Sequence, residues 1–317
     1  MQKPLIILTG PTAVGKTDLS IRLAKQINGA IISADSMQVY RYMDIGSAKI
    51  LPAQMQGVPH YLIDEFFPDE EFNVVRFQQY AKKYMQKIYA DGQIPILTGG
   101  TGFYIQAVLY DIDFSEQEAD SDYRRELEAL AQIHGTQYLH GLLAEADPPS
   151  AAAIHANNQK RIIRALEYFR LTGERISEHN KRERQKQTPY RAAYFVLNDV
   201  RERLYERIDR RVDAMMADGL AGEVQRLREM GYTKGLVSMQ GLGYKELFAY
   251  FDGECTLEEA VTRIKRDTRH FAKRQLTWFR REKDVIWVNK QMFSYDNDKI
   301  LSYINGILLE KGIVDRQ

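Results

Sequence analysis

The chain has few of the features that would mark a secreted or membrane protein. It holds one cysteine, Cys255, among 317 residues, so an internal disulfide framework is excluded. No stretch approaches the ~18 consecutive apolar residues of a membrane span. The N-terminus enters an apolar run, Leu5-Ile6-Ile7-Leu8, almost at once. No signal peptide is therefore expected, and the expected location is the cytoplasm. There is no internal repeat and no low-complexity segment. Net charge is nearly absent as well, at +1. The 44% hydrophobic and 27% charged residues suit a chain able to bury a sizeable core.

The near-neutral total hides two basic segments. From Lys160 to Arg191 ten Lys/Arg face four Glu, and from Arg263 to Lys283 nine Lys/Arg face Asp267 and Glu282. The remaining chain is correspondingly acidic. Two such concentrations suit a polyanionic partner larger than one diphosphate, or else two solvated helix faces.

The densest motif is Gly10-Pro11-Thr12-Ala13-Val14-Gly15-Lys16-Thr17. It stands between the first apolar run and a helical pattern (Leu19, Leu23, Ile27) and fits the phosphate-cradling loop. Glycines let backbone N–H groups turn toward phosphate oxygens, and the following helix offers its positive end. Lys16 adds a point charge, and the Thr17 hydroxyl is placed to hold Mg²⁺. The loop by itself names a polyphosphate without naming ATP.

Strand and helix patterns alternate through the first third. Ala30-Ile31-Ile32-Ser33, Tyr61-Leu62-Ile63 and Ile94-Pro95-Ile96-Leu97 read as strands, although Pro95 sits uneasily in a central one. Asn73 is placed to cap a helix with the stripe Val74, Phe77, Ala81, Tyr84 and Ile88. This order predicts an α/β fold: a P-loop NTPase-like parallel sheet flanked by helices, with an inserted all-helical domain and a helical C-terminal part. The expected division is 1–115 for the first part of the core, 116–191 for the insertion and 192–317 for the return to the core. An acidic connection is expected at 115–121, and a break at Asp147-Pro148-Pro149-Ser150. Strand patterns recur at Ala193-Tyr194-Phe195-Val196-Leu197 and Val285-Ile286-Trp287-Val288.

Two acidic places follow strands and suit a metal-assisted phosphotransferase: Asp35, and Asp64-Glu65. A small-molecule kinase and a non-catalytic RNA-binding ATPase therefore stay open at this point. In Ser33-Ala34-Asp35-Ser36-Met37-Gln38, a carboxylate, an amide and hydroxyls gather near the phosphate loop. Such a set can read a polar heterocycle. Thr101 lies in a second glycine-rich turn, Gly99-Gly100-Thr101-Gly102.

The ordered set of motifs resembles the tRNA dimethylallyltransferases, the isopentenyltransferases that modify the adenosine beside the anticodon. The resemblance rests on residues 10–17, 34–40, Met43-Asp44-Ile45-Gly46-Ser47-Ala48-Lys49, Val58-Pro59-His60 and Gly99-Gly100-Thr101-Gly102-Phe103-Tyr104. It continues through Arg161-Ile162-Ile163-Arg164-Ala165-Leu166-Glu167, Arg207-Ile208-Asp209-Arg210-Arg211-Val212, Gly243-Tyr244-Lys245-Glu246 and Lys273-Arg274-Gln275-Leu276-Thr277-Trp278-Phe279-Arg280. Tyr61 departs from the pattern where many members have a second histidine, so no histidine pair is assigned a role.

The resemblance implies transfer of a dimethylallyl group from dimethylallyl diphosphate to N6 of adenosine 37 in tRNAs reading codons that begin with U. Asp35 is then the general base and Thr101 a second polar group at the reacting atoms. Residues 10–17 hold the diphosphate with Mg²⁺. Arg207 and Arg211 either join that clamp or belong to a surface ion-pair row with Glu206 and Asp209. Contacts to tRNA fall on Asp35, Ser36, Met37, Gln38, Thr101 and Tyr123, and on Gln159, Lys160, Arg161, Ile162, Ile163 and Arg164. Gln240, Gly243, Tyr244, Lys245, Lys273, Arg274 and Arg280 complete them. A monomer is expected.

Overall fold

The apolar run at the N-terminus lies within a sheet. It forms β1 (Pro4–Thr9), followed by β2 (Gly29–Ser33), β3 (His60–Tyr61), β4 (Ile94–Gly99), β5 (Arg191–Asn198) and β6 (Val285–Asn289). In the computed structural model, which describes residues 2–114 and 121–315, these strands are ordered β3-β2-β4-β1-β5-β6 and every pair is parallel. The first half of the chain adds α1 (Lys16–Ile27), α2 (Val74–Ala90) and α3 (Gly102–Leu109). An insertion follows with α4 (Ser121–His134), α5 (Thr136–Ala146), α6 (Pro148–Ala153), α7 (Gln159–Thr172) and α8 (Ile176–Glu183). After β5 come α9 (Arg201–Ala217), α10 (Leu220–Glu229), α11 (Tyr244–Phe251) and α12 (Leu257–Phe279), and after β6 α13 (Asn297–Glu310). Among the described residues no helix is long and apolar enough to cross a membrane.

The sheet is covered on both faces, so its strands are apolar throughout rather than alternating. Leu5 and Ile7 pack with Phe77 and Ile88 of α2. Ile6 and Leu8 point the other way, to Leu19 and Leu23 of α1 and Ile304 and Leu308 of α13. Pro95 is tolerated for a geometric reason. Ile94 N donates to Asn28 O, so the nitrogen of Pro95 faces β1, whose pairing with β4 begins only at Ile96. The strand expected at 61–63 stops at Tyr61, because Leu62 and Asp64 take left-handed backbone angles (φ 61° and 56°).

Two compact units divide the chain: residues 1–111 with 188–317, and residues 112–187. The connection expected at 115–121 lies, for 115–120, outside the described residues. The helical unit has its own core of Leu127, Leu139, Leu143, Ile162 and Leu166. The break at 147–150 starts a helix rather than only ending one. Asp147 caps α6, with prolines in the first turn where no N–H is needed. Its buried carboxylate accepts from the N–H and hydroxyl of both Ser150 and Ser177. Burial raises its pKa, but those hydrogen bonds outweigh burial and hold it below the usual range. Buried Glu167 receives two bonds from Arg124, at 2.8 and 2.7 Å.

Candidate active site

The loop between β1 and α1 turns through left-handed angles at Ala13 (φ 63°) and Gly15 (φ 99°). Its outer carbonyls are held by cations from distant elements. Arg207 Nε of α9 donates to Ala13 O at 2.7 Å, and Lys290 Nζ to Val14 O at 3.3 Å. Lys16 Nζ donates to Gly10 O and Pro11 O at 3.0 and 2.8 Å. Pro11 and Val14 are buried and contribute backbone to the loop.

A cavity of about 460 Å³ opens beside this loop, lined by Thr12, Lys16, Thr17, Asp35, Arg207 and Arg211 among others. Its cations are poorly solvated. Burial, then the nearby Arg211, pushes the Lys16 ammonium down to about 7, against a smaller opposing pull from Asp35. Burial likewise lowers Arg211. Lys290, behind the loop, is lowered by burial and by Arg207. Cations gathered at such cost suit a multiply charged anion. The ion-pair row considered for Arg207 and Arg211 forms without them: Glu206 pairs with Arg210, and Asp209 with Arg269 at 2.5 Å.

A second cavity, about 400 Å³, shares Thr12, Asp35, Gly100, Arg211, Phe271 and Gln275 with the first. Apolar side chains, including Met37, Tyr40, Phe72, Tyr104 and Met215, wall much of it. Thr101 also lines it; its N–H donates to Ala34 O at 3.1 Å, and its hydroxyl makes no capping bond to α3. Asp35 sits just beyond β2 and lines both cavities, where open parallel sheets place ligands. The Met37 N–H fixes it at 2.9 Å through Oδ1.

Among the described residues no cluster of three or more His, Cys, Asp or Glu could hold a metal. Thr17 does line one cavity with the phosphate loop. Its hydroxyl fits a hard cation held mainly by phosphate oxygens and water.

Comparison with known proteins agrees with this layout. The sequence model of the IPP transferase family matches residues 38–282. The chain belongs to that family. It is 63% identical over 312 residues to the tRNA dimethylallyltransferase of Lachnoclostridium phytofermentans, covering 98% of this chain and 99% of the relative. The Acetivibrio thermocellus tRNA dimethylallyltransferase is 48% identical, covering 98% of each. Among solved structures, the full-length tRNA isopentenylpyrophosphate transferase of Bacillus halodurans aligns with a TM-score of 0.73 and 46% identity over 98% of each chain. A eukaryotic dimethylallyltransferase acting on tRNA aligns with a TM-score of 0.80 and 29% identity, covering 90% of this chain and 74% of that one.

In this IPP transferase, the expected RNA contacts occupy several kinds of place. Ser36, Met37, Gln240, Gly243 and Lys245 line the second cavity. Tyr244 lines it from a fully buried position. Gln38 lines the first cavity, and its amide is engaged: Ser33 Oγ donates to it at 3.0 Å, and it donates to Ala48 O at 3.4 Å. Lys273 and Arg274 line a basic depression with Trp278 and Arg281, while Arg280 is exposed. In the helical unit Lys160, Arg161 and Arg164 are exposed, and Arg170 stacks over Tyr123 at 5.3 Å. Ile162 and Ile163 correct the expectation. They are 0% and 5% exposed in the unit's core, so their side chains pack the helix that presents the arginines.

Three residues escaped the sequence reading. Gln275 of α12 accepts from Thr12 N and donates to Gly100 O, both at 2.9 Å, bridging the two glycine-rich turns. In the sequence it stands as a neutral residue within the second basic segment. Glu223 of α10, 1% exposed, accepts from the N–H groups of Asp44, Ile45 and Gly46 and from Tyr244 Oη. In the sequence it is one more acid in a first helical turn. Lys290 follows the last strand, beyond every motif.

Proposed function

We propose that the chain transfers the dimethylallyl group of dimethylallyl diphosphate to N6 of adenosine 37, beside the anticodon of tRNAs reading codons that begin with U. The observation that carries this reading is a single carboxylate, Asp35, facing both a cation-lined cavity and an adjoining apolar one. The first suits a diphosphate, and the second a five-carbon chain and an extruded purine. The nearly full-length relatives named tRNA dimethylallyltransferase support the same chemistry.

Adenine N6 is a weak nucleophile because its lone pair is delocalised into the ring. It attacks the allylic carbon as the carbon–oxygen bond breaks, and diphosphate leaves with the bonding pair. Asp35, steadied by the Met37 N–H, accepts the N6 proton. Thr101 orients the reacting atoms. Lys16, Thr17, the N–H groups of residues 10–17, Arg207 and Arg211 hold the diphosphate. Preorganised donors of this kind are each worth about 2.7–4 kcal/mol where charge develops on oxygen. Thr17 is the residue that would hold Mg²⁺, which when bound neutralises charge on the diphosphate, leaving Asp35 free to act as the base. Phe271 lines both cavities and helps exclude water from them.

The tRNA would be held by Lys273, Arg274 and Arg280 and, in the helical unit, by Tyr123, Gln159, Lys160, Arg161 and Arg164. Ser36, Met37, Gln38 and the residues from Gln240 to Lys245 lie nearest the base. Extruding the adenine costs a few kcal/mol, offset by contacts in the second cavity. The protein would act as a monomer. The test incubates it with unmodified anticodon stem-loop RNA, Mg²⁺ and labelled dimethylallyl diphosphate, with labelled ATP in parallel. Label from dimethylallyl diphosphate in one loop adenosine is expected. Phosphoryl transfer from ATP without prenylation would overturn the reading.

A further inference from the structure

Beside the second cavity lies a surface the chemistry above does not use. Tyr42 is 44% exposed and Phe67 37% exposed, with ring centroids 6.0 Å apart at 40°. The Arg41 guanidinium lies 4.6 Å from the centre of the Phe67 ring. Its Nε donates to Asp64 O at 3.0 Å. A parallel bridge between Tyr40 and Phe66 sets the two segments side by side, and Arg41 N donates to Phe66 O at 2.8 Å. Tyr42 is held at φ 67°, a left-handed angle uncommon for a tyrosine.

This group adjoins the cavity from two directions. Tyr40, Gly46 and Ser47, on either side of Tyr42 in the chain, line it. Pro68, next to Phe67, accepts from Ser238 Oγ at 2.6 Å, and the neighbouring Val237 and Gln240 line it too. Val237 is itself 70% exposed.

We propose that Tyr42, Phe67 and Arg41 form a stacking platform for the unpaired nucleotide next to the target adenosine; this rests on the RNA-modifying activity proposed above. Extruding one base strips its neighbour of a stacking partner. Single-stranded RNA is held by aromatic and guanidinium faces together with cations for its phosphates. Arg41 covers one face of Phe67 and braces it, leaving Tyr42 to meet the base and the guanidinium edge to meet a phosphate. Isolated exposed aromatics are ordinary. Two aromatics with a stacked guanidinium, continuous with a purine-sized cavity, fit an RNA strand entering it.

The test uses an anticodon stem-loop carrying 2-aminopurine on one or the other side of the target adenosine. Quenching on binding is read without dimethylallyl diphosphate, and prenylation kinetics are measured separately. Tyr42→Asn removes the ring while tolerating the left-handed angle, and Phe67→Ala removes its support. Each should raise the KM for stem-loop about tenfold and reverse the quenching at one flanking position. The KM for dimethylallyl diphosphate and the melting temperature should stay unchanged, and Tyr42→Trp should retain tight binding. Unaltered quenching and KM in both variants would overturn the platform. If the wild type quenches but does not prenylate, the platform stands and the proposed activity fails.

Discussion

Two glycine-rich turns face the same carboxylate, and they use glycine for different reasons. In the first, at 10–17, Gly15 adopts φ 99°, and the bend exposes backbone toward a ligand. In the second, at 99–102, no φ is positive among the glycines. There a side chain would collide with α12: a Cβ on Gly100 would sit 2.1 Å from Gln275 Nε2, and one on Gly102 2.2 Å from the Trp278 ring. The first turn is shaped for what binds. The second is cleared so that a helix can dock and, through Gln275, hold the first turn in place. Glycine thus reports a backbone angle at Gly15 and packing against α12 at Gly100 and Gly102, while Gly10 is also crowded, by Leu197 O.

The strongest way to break this comparison is at the shared carboxylate. Asp35→Ala should lower turnover about 10²–10⁴-fold and leave stem-loop affinity near normal, as the kinetics and a binding titration will show. Near-normal turnover would remove Asp35 as the base. Next is the first turn itself. Lys16→Ala should reduce turnover with dimethylallyl diphosphate about 10²–10³-fold. An unaffected enzyme would mean the loop does not grip the leaving group.

The second turn separates the two uses of glycine. Gly100→Ala should destabilise by about 1–3 kcal/mol through overpacking, measured by denaturant unfolding. Gln275→Ala in the same chain should restore much of that stability while activity stays low. Gly15→Ala should show no such rescue by Lys290→Ala, because its cost lies in the backbone angle. Rescue in both pairs, or in neither, would erase the distinction.

The smallest effect is one of pH. Lys16 has its pKa lowered to about 7 in the free protein and stays charged against a diphosphate. Its protonated fraction, and with it the affinity for dimethylallyl diphosphate, should fall about fivefold between pH 7 and pH 8. The unfolded chain binds that proton more tightly, so this group's contribution to folding stability rises over the same window. Lys16→Arg, which does not titrate, should flatten the change in KM.

The sequence revealed what is contiguous. The phosphate loop, the strand alternation and Asp35 just past a strand are local patterns with local physics, and each takes its expected place. The helical insertion was legible because its residues read as helices only, with one break at 147–150 and no strand pattern. What escaped was assembled across distance. Gln275 meets Thr12 across 263 positions, Lys290 meets Val14 across 276, and Glu223 meets Asp44 across 179. None has a spacing that betrays its partner. Contiguity also misled: Ile162 and Ile163 lie among basic residues in sequence, yet helical geometry turns them into the core. Arg269, in the second basic segment four residues before Lys273, is tied to Asp209 of α9.

The strand order has a consequence for how the chain is made. β1 is flanked by β4 and β5, but β5 begins at Arg191, after the whole insertion. At about 5–20 residues per second, the ribosome needs roughly 4–16 s to pass from the end of the first core segment to that strand. For that interval β1 can pair on one side only, and its other edge, bordered by the apolar side chains of Leu5 to Leu8, is open to the wrong strand. An insertion able to form its own core during this wait buries its own apolar residues and so adds no further sticky surface beside the open edge. Slowing translation within the insertion should therefore increase aggregation of the nascent chain more than slowing it after β5.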